Sequence, residues 1–115
     1  MAVIISNAFS LNMLDMETNR NEQLVKVTKI SIDDVKNMIR ENPKFISSIG
    51  HESTSKLISS LLGTMIEPQR ISVKLNQGDK LIVFQLKERL PEGFVITDPE
   101  ELKKLKFDFY LVELE

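Results

Sequence analysis

His51 is the side chain best suited to proton transfer, and it is the only histidine among the 115 residues. The ordinary pKa of an imidazole lies near neutrality, so His51 can act as a general acid or base. It lies in Gly50-His51-Glu52-Ser53-Thr54, just before a stretch with helical periodicity. Free N–H groups at a helix start favour phosphate, Ser53 and Thr54 add hydroxyl donors, and Gly50 lets the backbone approach a ligand. In the simpler alternative, Ser53 caps the helix and His51 is a surface residue.

A second candidate, Arg89, follows a predicted strand in Glu88-Arg89-Leu90-Pro91-Glu92-Gly93. Loops at strand ends are common places for functional groups, and an arginine can bind phosphate through two parallel hydrogen bonds. Alternatively, Arg89 is exposed and pairs with Glu88 or Glu92. Gln85, four residues earlier on an otherwise apolar strand, is either a hydrogen bonder at the sheet edge or part of a site.

The segment after the first predicted strand is rich in small polar side chains. Asn7, Ser10 and Asn12 can donate hydrogen bonds to a base or a phosphate, or they can form local turns. Arg70 begins a predicted strand, where its simplest role is that of a solvated charge.

Composition excludes several classes of function. The 15 Lys and Arg residues against 17 Asp and Glu residues give a net charge of −2, which argues against coating long DNA or RNA. With no cysteine and one histidine, one chain cannot build a thiolate or multi-histidine metal site, so we expect no metal and no cofactor. No apolar run is long enough to cross a bilayer, and the start lacks the features of a secretory signal, so we expect no membrane partner.

The first half of the sequence predicts two strands and two helices. The strands are expected at Val3–Ile5 and around Leu24–Thr28. One helix begins after Ser31, with Asp33 and Asp34 in its first turn, and ends at Asn42-Pro43. The other runs from about Glu52 to Gly63, which is expected to form a left-handed cap.

The second half predicts a hairpin, a short helix and a final strand. Arg70–Leu75 alternates apolar and polar residues, Asn76–Asp79 reads as a turn, and Lys80–Leu86 is the returning, central strand. A helix is expected from Asp98 to near Leu105, and a strand over Phe107–Leu114. We therefore expect one α/β domain over residues 1–115, with a mixed sheet of about five strands flanked by helices.

Taken together and in order, several of these segments are similar to one protein family. They are Asn7-Ala8-Phe9-Ser10-Leu11-Asn12-Met13-Leu14, Ser48-Ile49-Gly50-His51-Glu52-Ser53-Thr54, Leu61-Leu62-Gly63, Arg70 with its alternating strand, and Gln85 through Arg89-Leu90 to Glu92-Gly93. The sequence resembles the ring nucleases that archaeal viruses, and some bacterial viruses and hosts, use against type III CRISPR immunity. Those enzymes degrade the messenger cyclic tetra-adenylate.

The resemblance implies a role for each matched position. His51 corresponds to the catalytic general acid, and Arg89 and Glu92 to residues lining the active site, with Arg89 near the scissile phosphate. The positions implied to hold the ligand are Asn7, Ser10, Asn12, Arg70 and Gln85. Pro91 stands where several members carry an acidic residue, and Glu52 stands where Asp is common, but the matched functional groups are present.

The implied chemistry needs no protein nucleophile, because the ribose 2′-hydroxyl can attack the neighbouring phosphate. A cyclic tetranucleotide contains a twofold axis, so we expect it to bind at the interface of a homodimer, with higher oligomers left open. The products would be linear di-adenylates, made in the cytoplasm of an infected archaeal host cell. The main alternative is a non-catalytic module that sequesters a cyclic oligoadenylate or other nucleic acid. A viral protein that binds nucleic acid or host factors, and a metal-dependent hydrolase, fit the composition less well.

Overall fold

The protein folds around a five-stranded mixed sheet with both α-helices on one face. The computed structural model describes residues 2–16, 22–87 and 106–115. The strands are β1 (Val3–Ser6), β2 (Val25–Ile30), β3 (Ile46–Ser47), β4 (Lys80–Leu86) and β5 (Phe107–Leu114). Their order across the sheet is β2-β5-β4-β1-β3. The expected α/β class, sheet size and central position of β4 are confirmed.

Strand direction places four carboxyl ends at the same end of the sheet. β1 is parallel to β3 and to β4, whereas β5 is antiparallel to both β4 and β2. The carboxyl ends of β1, β2, β3 and β4 therefore lie together, and the chain leaves them there in loops. In open sheets with parallel strands, this is the end at which ligands bind.

The helices begin and end where local side chains favour those boundaries. In α1 (Ile32–Glu41), the Ser31 hydroxyl accepts a hydrogen bond from the Asp34 backbone N–H, and the Asp34 carboxylate accepts one from the Ser31 N–H, both at 3.1 Å. This reciprocal cap satisfies two otherwise unpaired donors. The second helix, α2 (Glu52–Leu62), ends at Gly63 with a φ of 65°, a left-handed conformation that glycine adopts without strain. The start of α1 at Ser31 and the cap at Gly63 are confirmed.

The two faces of the sheet are covered in different ways. Both helices pack on one face, where the buried side chains are Val35, Ile39, Leu57, Ile58 and Leu62 against Val3, Ile5, Ile82, Phe84 and Phe109. On the other face, extended chain from the second half and the 3-10 turn Leu11–Met13 cover part of the sheet, and the buried residues are Ile4, Leu75, Leu81, Val83 and Val112. The helices thus leave the second face to be covered by loops.

The predicted hairpin between residues 70–75 and β4 is wrong. Both edges of β4 are already occupied, one by β1 and the other by β5, so no edge is left for a third partner. Residues 70–75 instead run across the face opposite the helices, where the Leu75 N–H donates to the Met13 carbonyl at 2.8 Å. Leu75 is only 3% exposed and packs with Leu81 and Val83. The alternating pattern therefore reflects packing on a sheet face and not pairing within the sheet.

Two predictions fall on residues that the structure does not describe. The helix expected from Asp98 to near Leu105 lies outside the described ranges, as do the candidate site residues Arg89 and Glu92. Lys87, just beyond the carboxyl end of β4, is the last described residue before them.

Candidate functional site

An open cleft of about 540 Å³ lies where the carboxyl ends of the parallel strands meet. Its lining combines one imidazole, one guanidinium, an amide and hydroxyls: the residues are Asn7, Ser48, Gly50, His51, Arg70, Ile71 and Ser72. Four of the residues that the sequence singles out, Asn7, Gly50, His51 and Arg70, are thus brought together. The cleft offers hydrogen-bond donors, a cation and a titratable group, which is the chemistry that a phosphodiester needs.

The strand topology explains how residues far apart in sequence reach this cleft. Asn7 directly follows β1, and Ser48 directly follows β3, the parallel neighbour of β1. The Ser48 N–H donates to the Ile5 carbonyl at 2.9 Å, which extends the pairing beyond β3. The chain then passes through Gly50 into α2, so that His51 arrives beside the end of β1.

The three residues 49–51, here called the strap, are held on both sides. The Ile49 side chain is fully buried beneath it. The Ile49 carbonyl accepts a hydrogen bond from the Gln69 N–H at 2.7 Å, and the Gly50 carbonyl accepts one from Arg70 Nε at 3.0 Å. Consecutive carbonyls of the strap thus bond to consecutive residues of the chain that returns from α2.

That returning chain is itself attached to α2 and β3. The Ser55 hydroxyl donates to the Ile66 carbonyl, and the Ser59 hydroxyl, which donates to the Ser55 carbonyl at 2.7 Å, accepts from the Ile66 N–H at 2.8 Å. The Ser47 hydroxyl donates to the Glu67 carbonyl at 2.6 Å. Residues 66–70 therefore form a fixed support for the strap, although they contain no regular secondary structure.

His51 occupies the N-cap position of α2, with an exposed side chain. Its carbonyl accepts the first helical hydrogen bond, from the Ser55 N–H at 3.0 Å. Its imidazole makes no hydrogen bond within residues 2–16, 22–87 and 106–115, so it is available to a ligand. Since His51 holds the cap position, the expectation that Ser53 caps α2 is wrong, whereas the exposed His51 side chain agrees with the surface position that the same alternative gave it.

The other candidates lie elsewhere in the described part of the chain. Ser53 lines a separate cavity of about 820 Å³ between α2 and residues 63–68, and Thr54 is half-buried on the helix. Ser10 and Asn12 are exposed around the 3-10 turn, and Gln85 is exposed near the end of β4. None of these five lines the 540 Å³ cleft.

Three lining residues, Ser48, Ile71 and Ser72, were missed as site residues. Ser48 follows a two-residue strand, β3, which is too short to produce a periodic pattern. For Ile71 and Ser72, the alternating pattern predicts a hairpin strand, which does not form. The usable signal for Ser48 was its place two residues before Gly50, within a run of small polar side chains.

Positive charge is fixed near the carboxyl ends of β2 and β4. The Asp108 carboxylate pairs with Lys87 at 3.1 Å and with Lys29 at 3.3 Å, and Tyr110 Oη donates to it at 3.4 Å. The hydrogen bond from Lys87, with a further contribution from Lys29, holds the pKa of Asp108 below its ordinary value despite partial burial. Two lysines on one carboxylate leave a net positive cluster at this end of the sheet.

Neither a clustered metal site nor a membrane span is found in the described ranges. No group of three or more histidine, cysteine, aspartate or glutamate side chains converges there. No helix within the same residues is long and apolar enough to cross a bilayer.

The sequence model of the STIV B116-like family matches residues 3–109. This chain belongs to that family. A solved structure supports the assignment: B116 of Sulfolobus turreted icosahedral virus is 33% identical, with a TM-score of 0.80 over 98% of this chain and 99% of that chain. The fold described above is therefore the B116 fold.

Relatives of this B116-like chain come from viruses of archaea and from a bacterium. Uncharacterized protein 26 of Sulfolobus islandicus filamentous virus is 37% identical over 93 residues, which are 81% of this chain and 78% of that protein. ORF117 of Acidianus two-tailed virus is 32% identical over 106 residues, 91% of each chain. YddF of Bacillus subtilis is 36% identical over 88 residues, 76% of this chain and 81% of YddF. A B116-like domain thus occurs in both viral and cellular settings.

Proposed function

We propose that this protein is a metal-independent ring nuclease that binds cyclic tetra-adenylate, cleaves it to linear di-adenylates, and so switches off type III CRISPR signalling in the host cytoplasm. The observation that carries the proposal is the meeting of His51, Arg70 and Asn7 in one open cleft at the start of α2. The likeness of the sequence to ring nucleases, and the archaeal-virus relatives, favour the same reading.

The reaction divides the work between substrate and protein. The ribose 2′-hydroxyl loses its proton to water as its oxygen attacks the adjacent phosphorus and forms a new P–O bond, while the bond from phosphorus to the 5′-oxygen breaks. The His51 imidazolium gives its proton to the departing 5′-oxygen, so each cut leaves a 2′,3′-cyclic phosphate and a free 5′-hydroxyl. A positioned general acid contributes about 10²–10⁴-fold in rate. Holding the attacking oxygen in line with the leaving oxygen contributes up to about 7–11 kcal/mol.

The remaining candidates have supporting roles in this scheme. Arg70 donates to a phosphate oxygen, and Asn7 donates to a phosphate or a base. The resemblance assigns Arg89 and Glu92, which lie outside the described residues, to the active site, with Arg89 near the scissile phosphate. Ser10, Asn12, Ser53, Thr54 and Gln85 hold more distant parts of the ligand.

A homodimer follows from the size and symmetry of the ligand. The cleft of about 540 Å³ is open and smaller than a cyclic tetranucleotide, so one chain holds only part of the ring. A second chain related by a twofold axis presents the same cleft to the opposite half. Two copies of His51 then face opposite phosphodiesters, and two cuts release two di-adenylates.

The decisive experiment is a cleavage assay with cyclic tetra-adenylate in EDTA, using the wild type, His51→Ala and a matched exposed-residue control, Arg40→Ala on α1. We expect the wild type and Arg40→Ala to yield di-adenylates and His51→Ala to lose at least about 10²-fold in rate. Absence of cleavage by the wild type refutes the nuclease proposal; if tight binding persists, the sequestering module replaces it. Undiminished cleavage by His51→Ala removes the role of that residue. Sedimentation at micromolar concentration tests the dimer, which a monomer that binds ligand would contradict.

A further inference from the structure

We propose that Arg70 is a positioning residue for His51, acting through the carbonyl of Gly50, and that glycine at residue 50 lets the Arg70 side chain pack close against the backbone there. The inference rests on the proposed nuclease function for its kinetic readout. Its structural readout is independent of that function.

The position of His51 depends on the backbone that carries it. Its imidazole has no hydrogen-bond partner in the described parts of the chain, so no side chain there orients the ring. Its backbone is held on one side by the helical bond from the Ser55 N–H to its own carbonyl, and on the other by the bonds to the carbonyls of Ile49 and Gly50. The Ile49 carbonyl bonds to a backbone N–H, which substitution leaves in place. The Gly50 carbonyl, one peptide from His51, bonds to the side chain of Arg70 at 3.0 Å, so a single substitution removes that tie.

The Arg70 side chain packs closely against the backbone of Gly50. A Cβ on residue 50 would lie 3.1 Å from Arg70 Cγ, 3.6 Å from Nε and 3.8 Å from Cδ. The close contact is with the stem of the side chain, so an alanine requires Arg70 Cγ to move by a few tenths of an ångström, which carries Nε away from its position on the carbonyl. Gly50 does not adopt a positive φ, so the need for glycine here comes from Arg70 and not from backbone strain.

Arginine can perform two tasks at this position, and lysine cannot. Donation from Nε to the Gly50 carbonyl leaves the paired Nη groups of Arg70 directed to other partners, and Arg70 also lines the cleft. One guanidinium can therefore hold the strap and contact a phosphate together. A lysine ammonium carries three N–H donors on one atom, so it could serve both partners only if both lay within hydrogen-bond distance of that atom, whereas the donors of arginine are spread over three nitrogens. Arg70→Lys therefore keeps the charge but loses the tie.

The kinetic test is a double-mutant cycle on single-turnover cleavage of cyclic tetra-adenylate, with Gly50→Ala, Arg70→Ala and both together. We expect Gly50→Ala to slow cleavage about tenfold, as for loss of one hydrogen bond from a charged group. Arg70→Ala should cost about 10²-fold, as for misplaced reacting groups, and Arg70→Lys should resemble it. Because alanine at 50 acts by displacing Arg70, Gly50→Ala should cost nothing further in the Arg70→Ala background. An equal cost in both backgrounds, or full rescue by Arg70→Lys, overturns the proposal.

The structural test uses nuclear magnetic resonance without ligand. The chain has one histidine, so the imidazole ring protons and the His51 amide give unambiguous signals. We expect Arg70→Ala to shift or broaden the His51 amide and ring signals, Gly50→Ala to do so at the ring, since a change in the preceding residue alters the amide signal in any case, and the control Arg40→Ala to leave them unchanged. Unchanged His51 signals in both variants refute the positioning role, whatever the cleavage assay shows. If the wild type does not cleave but these signals move, the proposed function fails and the positioning role stands.

Discussion

Replacement of Ile49 by alanine should destabilise the protein far more than the same change at Ile46, three residues earlier. Ile49 is 0% exposed beneath the strap, whereas Ile46 on the edge strand β3 is 39% exposed. Isoleucine to alanine removes three carbon atoms, worth about 2.4 kcal/mol at about 0.8 kcal/mol per buried methylene. The remaining cavity raises the cost at Ile49 to about 3–4 kcal/mol. At Ile46, part of the side chain is already in water, and we expect about 1 kcal/mol or less.

Urea unfolding at equal protein concentration measures this difference. With a slope of about 1.5 kcal/mol per molar urea, Ile49→Ala should lower the midpoint by about 2 M and Ile46→Ala by well under 1 M. Ile49→Val, which leaves a smaller cavity, should lie between them at about 1 kcal/mol. Equal concentration matters because self-association would make the midpoint depend on it. Comparable midpoints for the two alanine variants would show that Ile49 does not anchor the strap.

Three further predictions concern the elements around the site. Asp108→Asn should lower the thermal midpoint at neutral pH, because the lysine pairing that depresses the pKa of Asp108 stabilises the charged form. That stability is present above the ordinary carboxyl pKa of about 3.9 and disappears as the pH falls through the lower, folded value, so the two melting curves should converge as the pH falls below the ordinary value; a constant gap would contradict it. Ser31→Ala should cost about 1 kcal/mol in urea unfolding, with Thr restoring most of it, and no loss would refute the cap. Gly63→Ala should cost about 1–2 kcal/mol from left-handed strain alone, since nothing lies within 4 Å of its Cβ position; Asn should cost less than Ala.

Local signals predicted most of the secondary structure because they act over a few residues. The Ser31 cap and the Gly63 terminus depend on side chains within one helical turn, and both appear as expected. The hairpin failed because the partner of β4 is decided by the whole sheet. β1 pairs with β4 from the far end of the sequence and takes the edge that residues 70–75 would need. An alternating pattern reports which face is buried but not whether the backbone pairs.

The candidate site was predicted in part for the same reason. Gly50, His51 and Asn7 follow strands whose ends meet, and parallel pairing of β1 with β3 brings them together. Arg70 lies in the cleft because its side chain hydrogen-bonds to the Gly50 carbonyl of the strap, a contact that the sequence does not predict. Ser72 is not predicted as a site residue, because its alternating segment predicts a solvent-facing position on a strand. Segments without regular secondary structure show no periodic pattern of apolar residues, so their contacts cannot be predicted from the sequence.

The pairing of β1 with β4 also dictates when this protein can fold during its synthesis. Residues 3–6 leave the ribosome well before their partner at residues 80–83, which follows them by more than 70 residues. α1 and α2 can form early from local interactions. The sheet that covers their apolar side remains incomplete until β4 and β5 have been made. The outer strand β2 waits longer still, for residues 109–114. Nascent chains of this protein therefore expose apolar surface until residues 109–114 emerge, and this is the stage at which they most need protection from aggregation.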